Sequence, residues 1–397
     1  MADSRRPGAV RTVARLRPFA STIFAEMTEL AVRHEAINLG QGFPDVDGPP
    51  EMLEVARQAI ADGVNQYPPG SGIPALRRAV ATDRAARYGL EHDPDGEVLV
   101  TVGATEAISA AILGLVEPGQ EVLLTEPYYD SYAAAVALAG ATRRTVALTR
   151  DGAGFVLDVD ALRAAITDRT RMLVVNTPHN PTGTVYDEES LIALAELACE
   201  HDLLVLSDEV YEHLVFDGRR HIPLASLPGM AQRTVTVSSA AKTFNVTGWK
   251  IGWALGPREL IDGVRAAKQF LTFVGGAPFQ PAVAHALTHE QAWIGSMRDD
   301  LQRKRTLLSS ALKDAGFGVL DSAGTYFVCA DLTPLGYRDG IAFCRELPER
   351  IGVAAVPVSV FVDDTKAWNH LVRFAFCKRD DVLEEAVGRL RTLPEAV

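Results

Sequence analysis

At 397 residues with 47% hydrophobic content, the chain can bury a large core and form two or three domains. A net charge of −12 and a pI near 5.3 exclude the basic face that a nucleic-acid binder needs. No apolar run approaches the ~20 residues that span a bilayer.

The opening MADSRRPGAVRTVARLRPFA is arginine-rich but carries no hydrophobic stretch for secretion. It reads as a surface arm rather than a transit peptide. Cys199, Cys329, Cys344 and Cys377 lie far apart without CxxC spacing. That usage fits reduced core thiols in a cytoplasmic protein and no metal site.

From about residue 95 to 255, short apolar runs alternate with helical patterns, which predicts an α/β fold with a mostly parallel sheet. Val98 to Val102 predicts a strand, and Ile108, Ile112 and Leu115 then recur at helical spacing until Glu117-Pro118-Gly119. EVLLTEP (121–127), RMLVVNTP (171–178), DLLVLSDE (202–209) and RTVTVSS (233–239) predict the following strands. Open α/β sheets hold ligands along the C-terminal edge of their strands. Past about residue 290 a long charged helix (Met297 to Ala315) and two strand patterns, GTYFVCADL and HLVRFAFC, predict a smaller α+β unit. The expected division is an N-terminal arm with part of the small domain over 1–44, a large domain over 45–289 and a small domain over 290–397.

Several residues along that sheet edge carry chemistry. Gly103, Ala104 and Thr105 open a helix, where free N–H groups favour an anion such as phosphate; a plain helix cap at Thr105 is the alternative. EPYYDSY offers a tyrosine to stack on a flat ring, though core aromatics are commoner. In NTPHNPTG, Asn180 is either an amide donor or part of an Asx turn. Asp208 ends a run too apolar for a surface strand, so its carboxylate belongs near a buried cation, with Tyr211 one turn on. An aspartate held against a heteroaromatic N–H⁺ keeps that ring protonated. SSAAKTFNVTGWKIGW places Ser239 three residues before Lys242 and sets Lys250 between Trp249 and Trp253. Spacing alone does not rank the two lysines. Arg373 lies in the strand pattern HLVRFAF, where it either pairs with a ligand carboxylate or makes a buried structural ion pair. Together these groups form the set that holds pyridoxal 5′-phosphate on a lysine. A dinucleotide enzyme is disfavoured, because no GxGxxG follows a strand.

INLGQGFPD, NQYPPGSG, NTPHNPTG, SDEVYEH, SSAAKTFNVTGWKIGW and HLVRFAFCKRDD jointly resemble the class I (fold type I) pyridoxal-phosphate aminotransferases over nearly the whole chain. The likeness is strongest to the branch holding kynurenine aminotransferase, glutamine transaminase K and methionine aminotransferase. Within it, the chain is most similar to actinobacterial proteins described as N-succinyldiaminopimelate aminotransferases. The resemblance implies fold type I, with a large domain on a mostly parallel sheet and a smaller α+β domain. It implies that Lys242 carries the cofactor covalently and shuttles the proton, and that Asp208 pairs with the ring nitrogen. By the same resemblance Asn180 and Tyr211 donate to the ring oxygen, and Tyr129 stacks on the ring. Ala104, Thr105, Ser239 and Lys250 correspond to the phosphate cup, and Tyr67 to the residue that reaches the phosphate of the partner subunit in a homodimer. Arg373 corresponds to the clamp on the substrate α-carboxylate and Gly42 to the loop closing over substrate. Phe24 and Phe273 fall where this branch places pocket aromatics. The implied reaction is ping-pong transfer of an amino group from an L-amino acid to a 2-oxo acid, with a C–S β-lyase as the alternative.

Overall fold

The apolar runs in the middle of the chain become the central sheet of the computed structural model, which describes residues 12–19 and 23–393. The arm expected over the first twenty residues therefore lies outside the described residues, except for 12–19, where a 3₁₀ turn runs over Ala14–Phe19. Among the described residues the main elements begin with helices α1 (Ile23–Arg33) and α2 (Pro74–Tyr88). Strand β1 (Val98–Val102) leads into α3 (Gly103–Leu115), and β2 (Glu121–Glu126) leads into α4 (Asp130–Leu138). Strands β3 (Thr142–Ala147), β4 (Thr170–Asn176), β5 (Leu204–Asp208), β6 (Thr234–Ser239) and β7 (Ile251–Leu255) follow.

These strands form one sheet in the order β1-β7-β6-β5-β4-β2-β3. Neighbours from β6 to β3 run parallel, while β7 is antiparallel to both β1 and β6. The five expected strands are present within a residue or two of their expected bounds. Two others were not expected. β3 reads TRRTVA and lies at the sheet edge, where one flank meets solvent and polar residues are tolerated. β7 is fully buried, and its IGWAL reads as a continuation of the lysine-bearing segment rather than as a new element. It is the one strand that makes the sheet mixed.

β1, β4, β5 and β6 end at Val102, Asn176, Asp208 and Ser239, so one edge collects the chain's turn-forming polar residues. Gly103, at φ +74°, allows the chain to leave β1 and enter α3 immediately. α3 is rich in alanine, and its apolar face is buried against the sheet.

A second sheet forms from the C-terminal part. Its strands are β8 (Gly318–Val319), β9 (Phe327–Asp331), β10 (Val356–Pro357) and β11 (Leu371–Ala375), in the antiparallel order β8-β9-β11-β10. Helix α5 (Gln291–Asp314) precedes it and begins six residues before the expected start at Met297. Gly295 does not interrupt this helix, because Ile294 and Met297 on either side of it are buried. α1 joins the core of this second sheet through Met27, Ile23 and Phe24. The cleft between the two sheets is where the expected site residues converge.

Candidate active site

A cavity of about 400 Å³ lies at the C-terminal edge of the central sheet. Its lining includes Lys242, Asp208, Tyr211, Asn180, Tyr129, Gly103, Ala104, Thr105, Ser239 and Lys250 from the large sheet's side, and Phe24, Gly42 and Arg373 from the other. The sequence scatters these residues from position 24 to position 373, and the fold brings them onto one surface.

Asp208 is the last residue of β5, and its side chain is buried. Burial pushes its carboxyl up to about 6, against the downward pull of the Tyr132 hydroxyl, the Val210 N–H and the Lys242 charge. Tyr132 donates to Asp208 Oδ2 at 2.6 Å. The carboxylate therefore waits in a low-dielectric pocket with a neutral phenol as its nearest donor. That environment suits a cationic ring nitrogen.

Lys242 sits on the single helical turn that follows β6. Its ammonium is desolvated and lies near Lys250 and Arg373, with Cys377 and Asp208 pulling the other way; the result is a lysine lowered to about 8. Nζ lies 5.8 Å from the Tyr211 ring centre and 5.5 Å from that of Tyr326. A lysine poised this near neutrality serves as nucleophile and as base. Tyr211 is buried, which raises its hydroxyl well above the ordinary value, and it hydrogen-bonds Tyr326. The phenol therefore stays protonated as a donor.

Lys250 has a different setting. It adopts φ +55° at the end of a 3₁₀ turn and is exposed. Its tryptophan neighbours do not enclose it: Trp249 stacks on Phe279 at 4.7 Å, and Trp253 is buried in the core. A Cβ built on Gly103 would come within 3.1 Å of Lys250 Nζ, so the amine lies close against the glycine that opens α3. That cradle of N–H groups, a hydroxyl at Ser239 and an ammonium matches the needs of a phosphate. Thr105 is not a helix cap, since Val102 holds that position; its side chain meets the Tyr129 hydroxyl instead.

Asn180 resolves between its two readings. The turn is made by Asn176, whose Oδ1 accepts from Asn180 N at 2.7 Å and whose Nδ2 donates to Asp208 O at 2.9 Å. Asn180 Oδ1 accepts from Arg373 Nη1 at 2.9 Å, which leaves the Asn180 amide hydrogens for a ligand.

Arg373 is only 2% exposed, and among the described residues no carboxylate pairs with it. Its Nη2 donates to Gly40 O at 2.9 Å, and its Nε has no partner. The rings of Phe327, Phe361 and Phe24 surround the guanidinium at 3.9, 4.9 and 5.7 Å. A buried structural ion pair is thus absent here, and the cation is available to an incoming carboxylate. Gly42 packs so tightly on this cage that a Cβ there would lie 2.3 Å from the Phe327 ring. Its carbonyl accepts from Tyr326 Oη at 2.5 Å.

Two expected residues stand apart. Tyr67 is 84% and Phe273 45% exposed; they meet edge to face at 5.7 Å, outside the cavity of this chain. Phe273 follows the helix over Arg258–Leu271 with φ +63°, and its ring meets that of Tyr67. Sequence reasoning missed Tyr132. Its only signal was the third tyrosine of EPYYDSY, which α4 carries beneath Tyr129.

The chain belongs to the class I and II aminotransferases: the model of that family matches residues 34–390. It is therefore a pyridoxal-phosphate-dependent transaminase, acting on amino acids and oxo acids. It is 62% identical over 392 residues to a probable N-succinyldiaminopimelate aminotransferase of Mycobacterium tuberculosis, covering 97% of this chain and 99% of the relative. Methionine aminotransferase of Escherichia coli is 40% identical, over 96% of this chain and 98% of its own. The solved N-succinyldiaminopimelate aminotransferase from M. tuberculosis superposes with a TM-score of 0.95 at 63% identity, covering 96% of this chain and all of that one.

Proposed function

We propose that the chain moves the amino group of N-succinyldiaminopimelate to a 2-oxo acid in a ping-pong cycle, with the cavity residues in the roles that follow. The observation that carries the proposal is the buried, unpaired guanidinium of Arg373 facing the cavity of Lys242. Arg373 binds the donor's α-carboxylate through its planar fork, beside which the Phe327 and Phe361 rings lie. Lys242 would hold the cofactor through Nζ, and the same amine, lowered to about 8, would serve as the base toward the donor's Cα near neutrality. Asp208 would keep a proton on the cofactor's ring nitrogen, Tyr211 and Asn180 would donate to its ring oxygen, and Tyr129 would pack on the ring. Gly103, Ala104, Thr105, Ser239 and Lys250 would hold its phosphate. When bound, pyridoxal 5′-phosphate supplies the electron sink that the carbon acid needs.

The choice of donor is supported by near-full-length identity of 62% to a relative named for that substrate, against 40% to one named for methionine. An open surface lined by Phe24, Thr28, Glu29, Arg33 and Gln41 shares Phe24 and Gln41 with the cavity, so the cavity opens there toward solvent on the side where a long donor would extend. Gly42 and its loop form the roof over the substrate, with Phe24 as its aromatic wall.

The proposal includes a homodimer. An exposed aromatic surface of Tyr67, Phe270 and Phe273, with Phe270 at 85% exposure, supports a second copy covering it. Tyr67 would then complete the partner's phosphate site and Phe273 the partner's pocket. It also includes the division at 44/45 and 289/290, and a cytoplasmic location, supported by four cysteines that are all free. No helix among the described residues is long and apolar enough to cross a membrane.

A panel of amino donors assayed with 2-oxoglutarate tests the reading. N-succinyldiaminopimelate is expected to give the highest kcat/KM. A methionine or kynurenine value tenfold above it would overturn the donor assignment.

A further inference from the structure

Asp208, Tyr211 and Ser239 line the cavity, while their chain neighbours Glu209, Glu212 and Ser238 reach into a buried ion cluster behind it. The centre of that cluster is Arg84, on α2 and 2% exposed. Its Nη2 donates to Glu209 Oε2 at 3.0 Å and its Nη1 to Glu212 Oε2 at 2.7 Å. Glu209 also meets His221 Nε2 at 3.0 Å, and its other oxygen accepts from Ser207 Oγ at 2.9 Å and Leu224 N at 3.2 Å. Glu212 Oε1 accepts from Ser238 Oγ at 2.6 Å. Arg84 lies over the Tyr88 ring at 4.6 Å.

Burial would push the Glu212 carboxyl up, but Arg84 and two histidines hold it down at about 2, so it stays ionised. Two buried carboxylates around one guanidinium are an expensive way to fill a core, and well-packed apolar residues commonly do it at no loss of stability. What the ions provide is direction. Arg84 ties the segment after β5 to the end of β6 at a point one residue behind each cavity group.

We propose that Arg84 is a positioning residue: through Glu209, Glu212 and Ser238 it sets the orientation of Asp208, Tyr211 and Ser239 toward the cofactor. The proposal rests on the reading that this edge holds pyridoxal 5′-phosphate. Since Arg373 comes from the other sheet, the cluster acts on cofactor binding and on turnover, and leaves recognition of the donor carboxylate unchanged.

Arg84→Met, Arg84→Lys and Ser238→Ala, each in the full chain, test it. The readouts are the dissociation constant of pyridoxal 5′-phosphate, the visible circular dichroism of the bound cofactor, kcat and KM for the donor, and the melting temperature without cofactor. Arg84→Met is expected to weaken cofactor binding at least tenfold and shrink the dichroic band, with the donor KM within twofold. Arg84→Lys should recover part of both, and Ser238→Ala should weaken binding about threefold. Arg84→Met with a lower melting temperature but wild-type cofactor affinity and dichroism would reduce Arg84 to a structural role and overturn the proposal. Should that variant not fold, Ser238→Ala decides by the same two readouts, and unchanged values sink it. Wild-type protein that takes up no pyridoxal 5′-phosphate would instead overturn the cofactor site itself.

Discussion

The two sides of the cleft treat buried charge in opposite ways. On the large-sheet side, Asp208 has the Tyr132 hydroxyl, and its segment is tied down by Asn176 and by the Arg84 cluster. On the small-sheet side, Arg373 is surrounded by rings and has no anion at all. On one side each buried carboxylate, Asp208, Glu209 and Glu212, already has its donors before any ligand arrives. The other keeps a cation unneutralised, so the pairing energy of a carboxylate is available when substrate binds. In the proposed reading, the large-sheet side is the seat of the cofactor and the small-sheet side the receptor for the passing substrate.

That contrast can be broken by substitution. Lys242→Ala should have the largest effect, lowering kcat by at least ~10³ because both the covalent attachment and the proton transfer are lost; a steady-state assay measures it. Arg373→Met should lower kcat/KM for every donor by ~10²–10³, since a buried bidentate pair is removed. Its affinity for pyridoxal 5′-phosphate should stay within twofold of wild type, and a parallel loss there would erase the distinction between the two sides. Tyr132→Phe does the converse. Loss of the 2.6 Å donor pushes the Asp208 carboxyl further above about 6 and weakens cofactor binding by about fivefold to tenfold, with the donor KM unchanged. Gly42→Ala should displace the Phe327 ring from Arg373 and raise the donor KM a few fold, the smallest of these effects.

The lysine adds a pH signature. In the protein without cofactor, labelling of Lys242 by an amine-reactive reagent should rise with a midpoint of about 8. Because burial lowers this amine from its ordinary 10.5, the unfolded chain binds the extra proton between about 8 and 10.5. The lysine's contribution to stability therefore increases with pH across that window. Asp208→Asn should move the labelling midpoint lower, since the carboxylate favours the ammonium.

Much of the large-sheet side was legible because strand ends and polar turns coincide. Asn176, Asp208 and Ser239 each end an apolar run, and a parallel sheet lines up such ends. The ranking of Lys242 over Lys250 rests on the family resemblance; in the structure Lys242 is the desolvated lysine, lowered to about 8, and Lys250 the exposed one. Other features had no local signal. Arg84 meets Glu209 and Glu212 more than a hundred residues away, and nothing in its own helix marks it as buried. The aromatic cage draws Phe24, Phe327 and Phe361 from three distant segments, of which only Phe24 was expected. β7 escaped notice because an antiparallel insertion into a parallel sheet is decided by pairing rather than by its own pattern. The motifs point to Tyr67 and Phe273 as site residues, yet both lie outside the cavity of this chain, because a motif does not say which surface a side chain faces.

The most direct test of the account is borohydride reduction of the protein loaded with pyridoxal 5′-phosphate, followed by peptide mapping. The account predicts a single cofactor-derived label on Lys242. A label on Lys250, or none on either lysine, would contradict it.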